Sequence, residues 1–185
     1  MKKAWFLITF LILGLLTFGG IMSINASDDV FTLTSTELKN NGELPAAQVF
    51  KGYGCSGGNV SPQLSWKNAP VNTKSYAIIC HDPDAPRANG WYHWLVVDIP
   101  LDVNSIKQGE KIKNAKETLT DFGSVGYGGA CPPVGHGKHR YNFTVYALNV
   151  DKLDVSENTQ PKEVENLVLK HAIAKSTITG LYERK

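Results

Sequence analysis

Two short stretches hold most of the residues able to do chemistry in this chain. The first contains Asp82, Asp84, Trp91 and His93; the second contains Cys131, Pro132, Pro133, His136, His139 and Tyr141. Together they offer imidazole and phenol groups, an indole face, carboxylates and the main-chain amides of a glycine-rich loop. Such a set suits a small oxyanion with an attached cationic or hydroxylated group. The N–H and O–H donors take the anionic oxygens, and a carboxylate or the Trp91 face takes the cation. His93 and His139, starting from a reference pKa of about 6.5, are each expected to be neutral or charged near neutrality, which makes oxyanion affinity pH-dependent.

These residues need a rigid frame. Ser75–Cys80 is a β-branched, apolar run with the composition of a buried strand. It stops at Asp82-Pro83-Asp84-Ala85-Pro86, where proline cannot continue an interior ladder, and after Gly90 the chain returns through His93–Val97 as a second strand. An ordinary hairpin with acidic turn residues satisfies the same pattern. Residues 124–138 form a Gly/Pro-rich loop leading into His139–Leu148, where Tyr141, Phe143, Val145 and Ala147 share one strand face. If the strands are neighbours, the two loops converge on one shallow cavity, the usual placement of functional groups on loops held by a scaffold.

The remaining elements follow from periodicity. Strands are expected at Val30–Thr34, Leu44–Phe50, Leu64–Trp66 and Ala174–Leu181, with residues 101–120 as a long surface excursion. Pro161 opens an amphipathic helix whose apolar side is Val164, Leu167, Val168 and Ile173. Residues 51–59 are too glycine-rich for regular structure. Gly52, Gly54 and Gly57 match the dinucleotide pattern, but no helix opens behind them to present free amides to a pyrophosphate, so that reading is rejected.

Met1-Lys2-Lys3, an apolar run from Ala4 to about Phe18 and the small residue Ala26 have the form of a secretory signal over residues 1–26. An uncleaved anchor over residues 4–24 is the competing reading. Either way residues 27–185 form one exported domain. Of 19 Lys and Arg against 17 Asp and Glu, Lys2 and Lys3 make up the whole excess, so that domain is formally neutral. It lacks the one-signed field that nucleic-acid binding needs. Cys80 closes a buried strand; Cys55 and Cys131 lie in glycine-rich loops, where a disulfide between them is one possibility.

No activated nucleophile stands out. Ser124 lacks the glycine two positions earlier that a nucleophile elbow requires. Cys131 beside His139 has no identifiable orienting partner. A metal-dependent hydrolase using His93, His136, His139 and Asp82 is the alternative reading. It is disfavoured because His136 and His139 precede a strand rather than line a helix face.

Asp82-Pro83-Asp84-Ala85-Pro86, Trp91-Tyr92-His93-Trp94, Tyr127-Gly128-Gly129-Ala130-Cys131-Pro132-Pro133 and Gly137-Lys138-His139-Arg140-Tyr141, with Asn59-Val60-Ser61-Pro62 and Gly180-Leu181-Tyr182, resemble the bacterial branch of the phosphatidylethanolamine-binding proteins, also called Raf-kinase-inhibitor-like proteins. The resemblance implies a mainly β, sandwich-like domain with one or two peripheral helices. It implies a non-catalytic anion pocket lined by Asp82, Trp91, His93, Cys131, Pro132, His139 and Tyr141, with no metal or cofactor. The guest would be a phosphate-containing small molecule or phospholipid headgroup, and a partner enzyme or kinase is a possible target of inhibition. It further implies a cis bond at Ala85–Pro86 and a structural role for Arg140 in tying the loops together. The helix that flanks the pocket in many eukaryotic members is not expected here, since the chain ends at Lys185 soon after the last strand.

Overall fold

A computed structural model describes Met1 and residues 30–185. The expected signal at 1–26 lies outside the described residues, Met1 apart. The elements in chain order are β1 (Thr32–Thr34), β2 (Gly42–Glu43), a 3-10 turn (Ala46–Gln48), β3 (Lys51–Gly52), β4 (Cys55–Ser56), β5 (Leu64–Lys67) and β6 (Ser75–Asp82). They continue with β7 (Trp91–Pro100), β8 (Ser105–Ile106), β9 (Lys116–Glu117), β10 (His139–Leu148), α1 (Pro161–His171) and β11 (Ala172–Tyr182). The large sheet has the order β2-β11-β10-β6-β7-β9, and a small sheet has the order β1-β5-β8.

The apolar runs at β6, β7 and β10 reflect burial of both sheet faces, which removes the usual apolar/polar alternation. Along β6, Tyr76, Ile78 and Cys80 pack towards the small sheet with Phe31, Leu33, Leu64 and Trp66. The alternate residues Ala77 and Ile79 pack on the other side with Leu95, Val97, Val164 and Val168, beneath α1. The result, among the described residues, is a β-sandwich with one peripheral α-helix, as the family resemblance implies. Among the described residues no helix is long and apolar enough to cross a membrane.

The structure corrects the sequence reading at five places. Ile173, expected on the apolar side of the helix, lies past its end in β11 and is exposed. Leu44–Phe50 is not a strand: Gln48 and Val49 donate their amides back to Pro45 and Ala46. Leu44 and Val49 are nonetheless buried, which is what their apolar character reported. Residues 51–59 contain the small β3–β4 hairpin, and the 101–120 excursion contributes β8 and β9 to the two sheets. Finally, no peptide bond among the described residues is cis, so Ala85–Pro86 is trans. The turn closes differently: the Arg87 amide donates to Ala85, the Gly90 amide donates to Arg87, and Gly90 takes a φ of 65°. A Cβ at Gly90 would sit 2.3 Å from the Asp82 carbonyl, so only glycine fits that reversal.

Candidate functional site

Antiparallel pairing sets the C-terminal end of β6 beside the N-terminal ends of β7 and β10. Asp82 lies opposite Trp91, and His81 opposite Asn142. A cavity of about 220 Å³ opens at this end of the large sheet. All seven residues expected at the site line it: Asp82, Trp91, His93, Cys131, Pro132, His139 and Tyr141. Its wall also includes Tyr53, Ala85, Pro86, Arg87, Phe122 and Pro133.

Strand β7 contributes Trp91 and His93 to this cavity. Cys80 pairs with Trp94 but His81 pairs with Tyr92, so β7 carries one extra residue, His93, at that step. Trp91 and His93, two residues apart, share one face by ordinary alternation and Tyr92 takes the other, while the bulge resets the alternation so that Trp94, next to His93, packs in the core cluster with Tyr141. Tyr92 therefore points towards α1, its O–H donating to Glu165 Oε2 over 2.6 Å, while Trp91 and His93 both face the cavity.

Asp82 is buried, and both its oxygens are occupied. Oδ1 accepts the Asp84 amide at 2.8 Å and Oδ2 accepts His139 Nδ1–H at 2.7 Å. That second bond fixes the proton on His139 Nδ1 and leaves Nε2 to meet Nδ1 of His136 at 2.8 Å. Asp84 in turn accepts the Arg140 amide and both Nε–H and Nη2–H of its guanidinium. The hydrogen bond from that guanidinium holds the Asp84 carboxyl below its ordinary range. This two-pronged bridge is the structural role expected of Arg140.

His93 is held from the other loop. Its Nδ1 lies 2.7 Å from the Gly128 carbonyl, which has no hydrogen to give, so Nδ1 carries the proton. The Gly128 amide returns a bond to the His93 carbonyl. Burial pushes the His93 pKa down to about 4, against smaller opposing effects from the Gly128 carbonyl and Asp82. His93 is thus neutral near pH 7, which narrows the sequence expectation that it is neutral or charged. Phe122 and Tyr141 close on the ring edge-to-face, with centroids 5.5 and 5.1 Å away. Burial raises the Tyr141 phenol, so its O–H remains a donor, and among the described residues nothing in the protein accepts it.

The second loop is fixed by contacts that sequence reasoning did not foresee. The Gly129 amide donates to Asn59 Oδ1, the Tyr127 hydroxyl to the Gln48 carbonyl, and the Phe50 amide to the Ala130 carbonyl. A Cβ on Gly129 would lie 2.5 Å from backbone atoms of residues 48–50, so the approach requires glycine. Cys131 is bonded to Cys55, which settles the open pairing and removes the thiolate needed by a Cys131–His139 nucleophile. Cys80 is the buried free cysteine. The disulfide also places the β3–β4 hairpin, and Tyr53 with it, at the cavity wall; Arg184 donates to the Pro132 and Gly54 carbonyls around it. Tyr53 and Phe122 gave no sequence signal because each joins the wall through a loop packed by the aromatic row Tyr53–Phe50–Phe122.

The hydrolase reading needs four convergent metal ligands. His139 has both nitrogens in hydrogen bonds, and His93 has Nδ1 on a carbonyl. Among the described residues, no group of three or more His, Cys, Asp or Glu side chains is arranged to hold a metal ion.

A small β-sandwich with one cavity at the end of its central strands, walled by two interlocked loops, is the class this geometry defines. The chain belongs to the phosphatidylethanolamine-binding protein family, whose model matches residues 34–183. It is 40% identical over 171 residues to the UPF0098 protein YbcL of Escherichia coli (strain K12), covering 89% of this chain and 93% of that protein. It is 41% identical over 156 residues to YbhB of the same organism, covering 81% and 98%. The crystal structure of E. coli YbcL, described as a new member of the mammalian PEBP family, superposes with a TM-score of 0.82 over 84% of this chain and 99% of that one. A putative homolog from Chlamydia trachomatis gives 0.73 at 32% identity, over 85% and 99%.

Proposed function

We propose that this protein is an exported, non-catalytic binding protein that takes a phosphate-type anion or phospholipid headgroup into the cavity. The observation that carries the reading is the meeting of Asp82, His93, His139 and Tyr141 around one 220 Å³ space, although they come from three strands. Free phosphate and a headgroup phosphate share the chemistry this wall recognises: oxygens that accept from the Tyr141 O–H and pair with the Arg87 guanidinium. Asp82 does not repel such a guest strongly, because both its oxygens already accept hydrogen bonds. Arg87 stands at the rim, 4.9 Å over the Trp91 ring, where it adds positive charge at the entrance.

Binding without turnover fits a wall whose imidazoles are each tied to protein partners rather than to a nucleophile. Inhibition of a partner enzyme or kinase is a consistent use of such a pocket, with the guest or the rim of the cavity forming part of the contact. The formally neutral domain supports a small-molecule or protein partner over a nucleic acid. Calorimetry with phosphate and phosphoethanolamine tests the reading: weak binding is expected, reduced by Asp82→Ala and by His139→Ala. Unchanged affinity in both variants overturns it.

A further inference from the structure

Two loop tips meet on the crest between the cavity and a neighbouring, more polar hollow. Tyr53 and Pro133 line the cavity, while the next residues in the chain, Gly54 and Val134, line the hollow on the other side. The Cys55–Cys131 bond joins the two loops two residues from Tyr53 and from Pro133. The Arg184 guanidinium donates to the Pro132 carbonyl on one loop and to the Gly54 carbonyl on the other. The crest is thus held rigidly, yet its apolar side chains are not buried. Among the described residues Tyr53 is 78% exposed and Val134 is 62% exposed. Tyr53 lays its ring against Phe50 and takes a φ of 50°, a conformation that an aromatic residue adopts only where the surrounding structure imposes it.

We propose that this crest docks the protein on a bilayer that contains anionic lipid, with Tyr53 and Val134 entering the boundary between headgroups and acyl chains. This rests on the reading of the cavity as a headgroup site and deepens it, because the lipid is then met in the membrane. The cavity mouth lies beside the crest, so docking sets it over the headgroups. Tyrosine suits that boundary, having an apolar body and a polar tip. Valine there leaves water without burying a polar group. Charge agrees with an anionic surface: Lys138, Arg184 and Lys185 line the hollow against Glu43 and Glu183, and Arg87 adds a cation at the cavity rim. Since the disulfide and Arg184 already fix both tips, docking does not have to order them.

Tryptophan placed at the crest reads docking locally, whatever residues 1–26 contribute. Tyr53→Trp, Val134→Trp and Val71→Trp proteins are mixed with vesicles of phosphatidylethanolamine and phosphatidylglycerol carrying brominated acyl chains, and the wild-type fluorescence change is subtracted. Val71 is a fully exposed control that precedes β6, at the end of the large sheet away from Asp82 and the cavity. Quenching is expected to be several-fold stronger at 53 and 134 than at 71. Adding Val134→Asp to the Tyr53→Trp protein is expected to cut the quenching several-fold. It is expected to leave the affinity for soluble phosphoethanolamine unchanged, because Val134 is outside the cavity wall. Equal quenching at all three positions, or quenching at 53 that survives Val134→Asp, overturns docking through the crest. No quenching in a protein that binds phosphoethanolamine overturns the docking and leaves the cavity reading standing. No phosphoethanolamine binding at millimolar concentration overturns the cavity reading itself, and with it the headgroup part of the proposal. Self-association that Val134→Asp abolishes, without quenching by vesicles, assigns the crest to a second copy of the chain and overturns the proposal.

Discussion

His139 Nδ1 donates to Asp82 Oδ2 over 2.7 Å, joining two buried side chains 57 residues apart in sequence. This bond connects the two loops that wall the cavity and decides which His139 nitrogen holds the proton. Several measurable consequences depend on it and on its neighbours.

Replacing Asp82 by Ala leaves His139 Nδ1–H buried without an acceptor and frees the Asp84 amide as well. Breaking a buried charged or charge-assisted pair costs on the order of 3 kcal/mol. Urea unfolding is expected to show a loss of that size. Asp82→Asn, which retains an acceptor oxygen, is expected to lose less. A drop below about 1 kcal/mol in Asp82→Ala would mean the pair contributes little to holding the loops together.

The depressed pKa of His93 sets a pH dependence of stability. The folded pKa of about 4 lies below the ordinary 6.5, so between those values the unfolded chain binds the extra proton. Stability is therefore fully present above about pH 6.5 and declines as pH falls towards 4. The shift corresponds to about 3 kcal/mol over that window. Denaturant midpoints measured across pH 4–7 are expected to fall on the acid side, with a smaller fall in His93→Phe.

The Cys55–Cys131 bond closes a loop with a sequence separation of 76. The chain-entropy estimate for that length is about 4.5 kcal/mol, an upper figure for what reduction removes. Reduction also unpins the β3–β4 hairpin that brings Tyr53 to the cavity. Treatment with a thiol reductant, and separately the double change of both cysteines to serine, is expected to lower the melting temperature and weaken phosphate binding together. Affinity unchanged in the reduced protein would show that the hairpin is not part of the wall in use.

Gly128 tests the packing behind His93. A Cβ there would lie 2.4 Å from the Phe122 ring. Gly128→Ala must push that ring aside, an overpacking cost of about 1–3 kcal/mol. Because Phe122 and the Gly128 carbonyl both hold His93, phosphate affinity is expected to fall with stability. Gly135→Ala is a useful control for the cavity: a Cβ there meets nothing within 4 Å, so only its φ of 74° opposes the change.

The sequence by itself determined the frame. Unbroken apolar runs at Ser75–Cys80 and His93–Val97, the alternating Tyr141, Phe143, Val145 and Ala147, and Pro161 at the head of a helix are local patterns, and local burial demands are enough to fix them. The motif residues were legible for the same reason: Asp, His and Trp packed into short stretches between strands are unusual wherever they fall. What only the tertiary structure decided are the long-range matters. The bulge at His93, the tie from Asn59 to Gly129, the pairing of Cys55 with Cys131 and the arrival of Tyr53 and Phe122 at the wall depend on partners far away in the chain. The turn at Ala85–Pro86 shows the same limit: its trans form is accompanied by amide bonds within residues 85–90 and by a glycine that fits where no Cβ could, beneath the Asp82 carbonyl. Which His93 nitrogen bears hydrogen is likewise set by a carbonyl 35 residues away, because a proton's position follows the acceptor that the fold supplies.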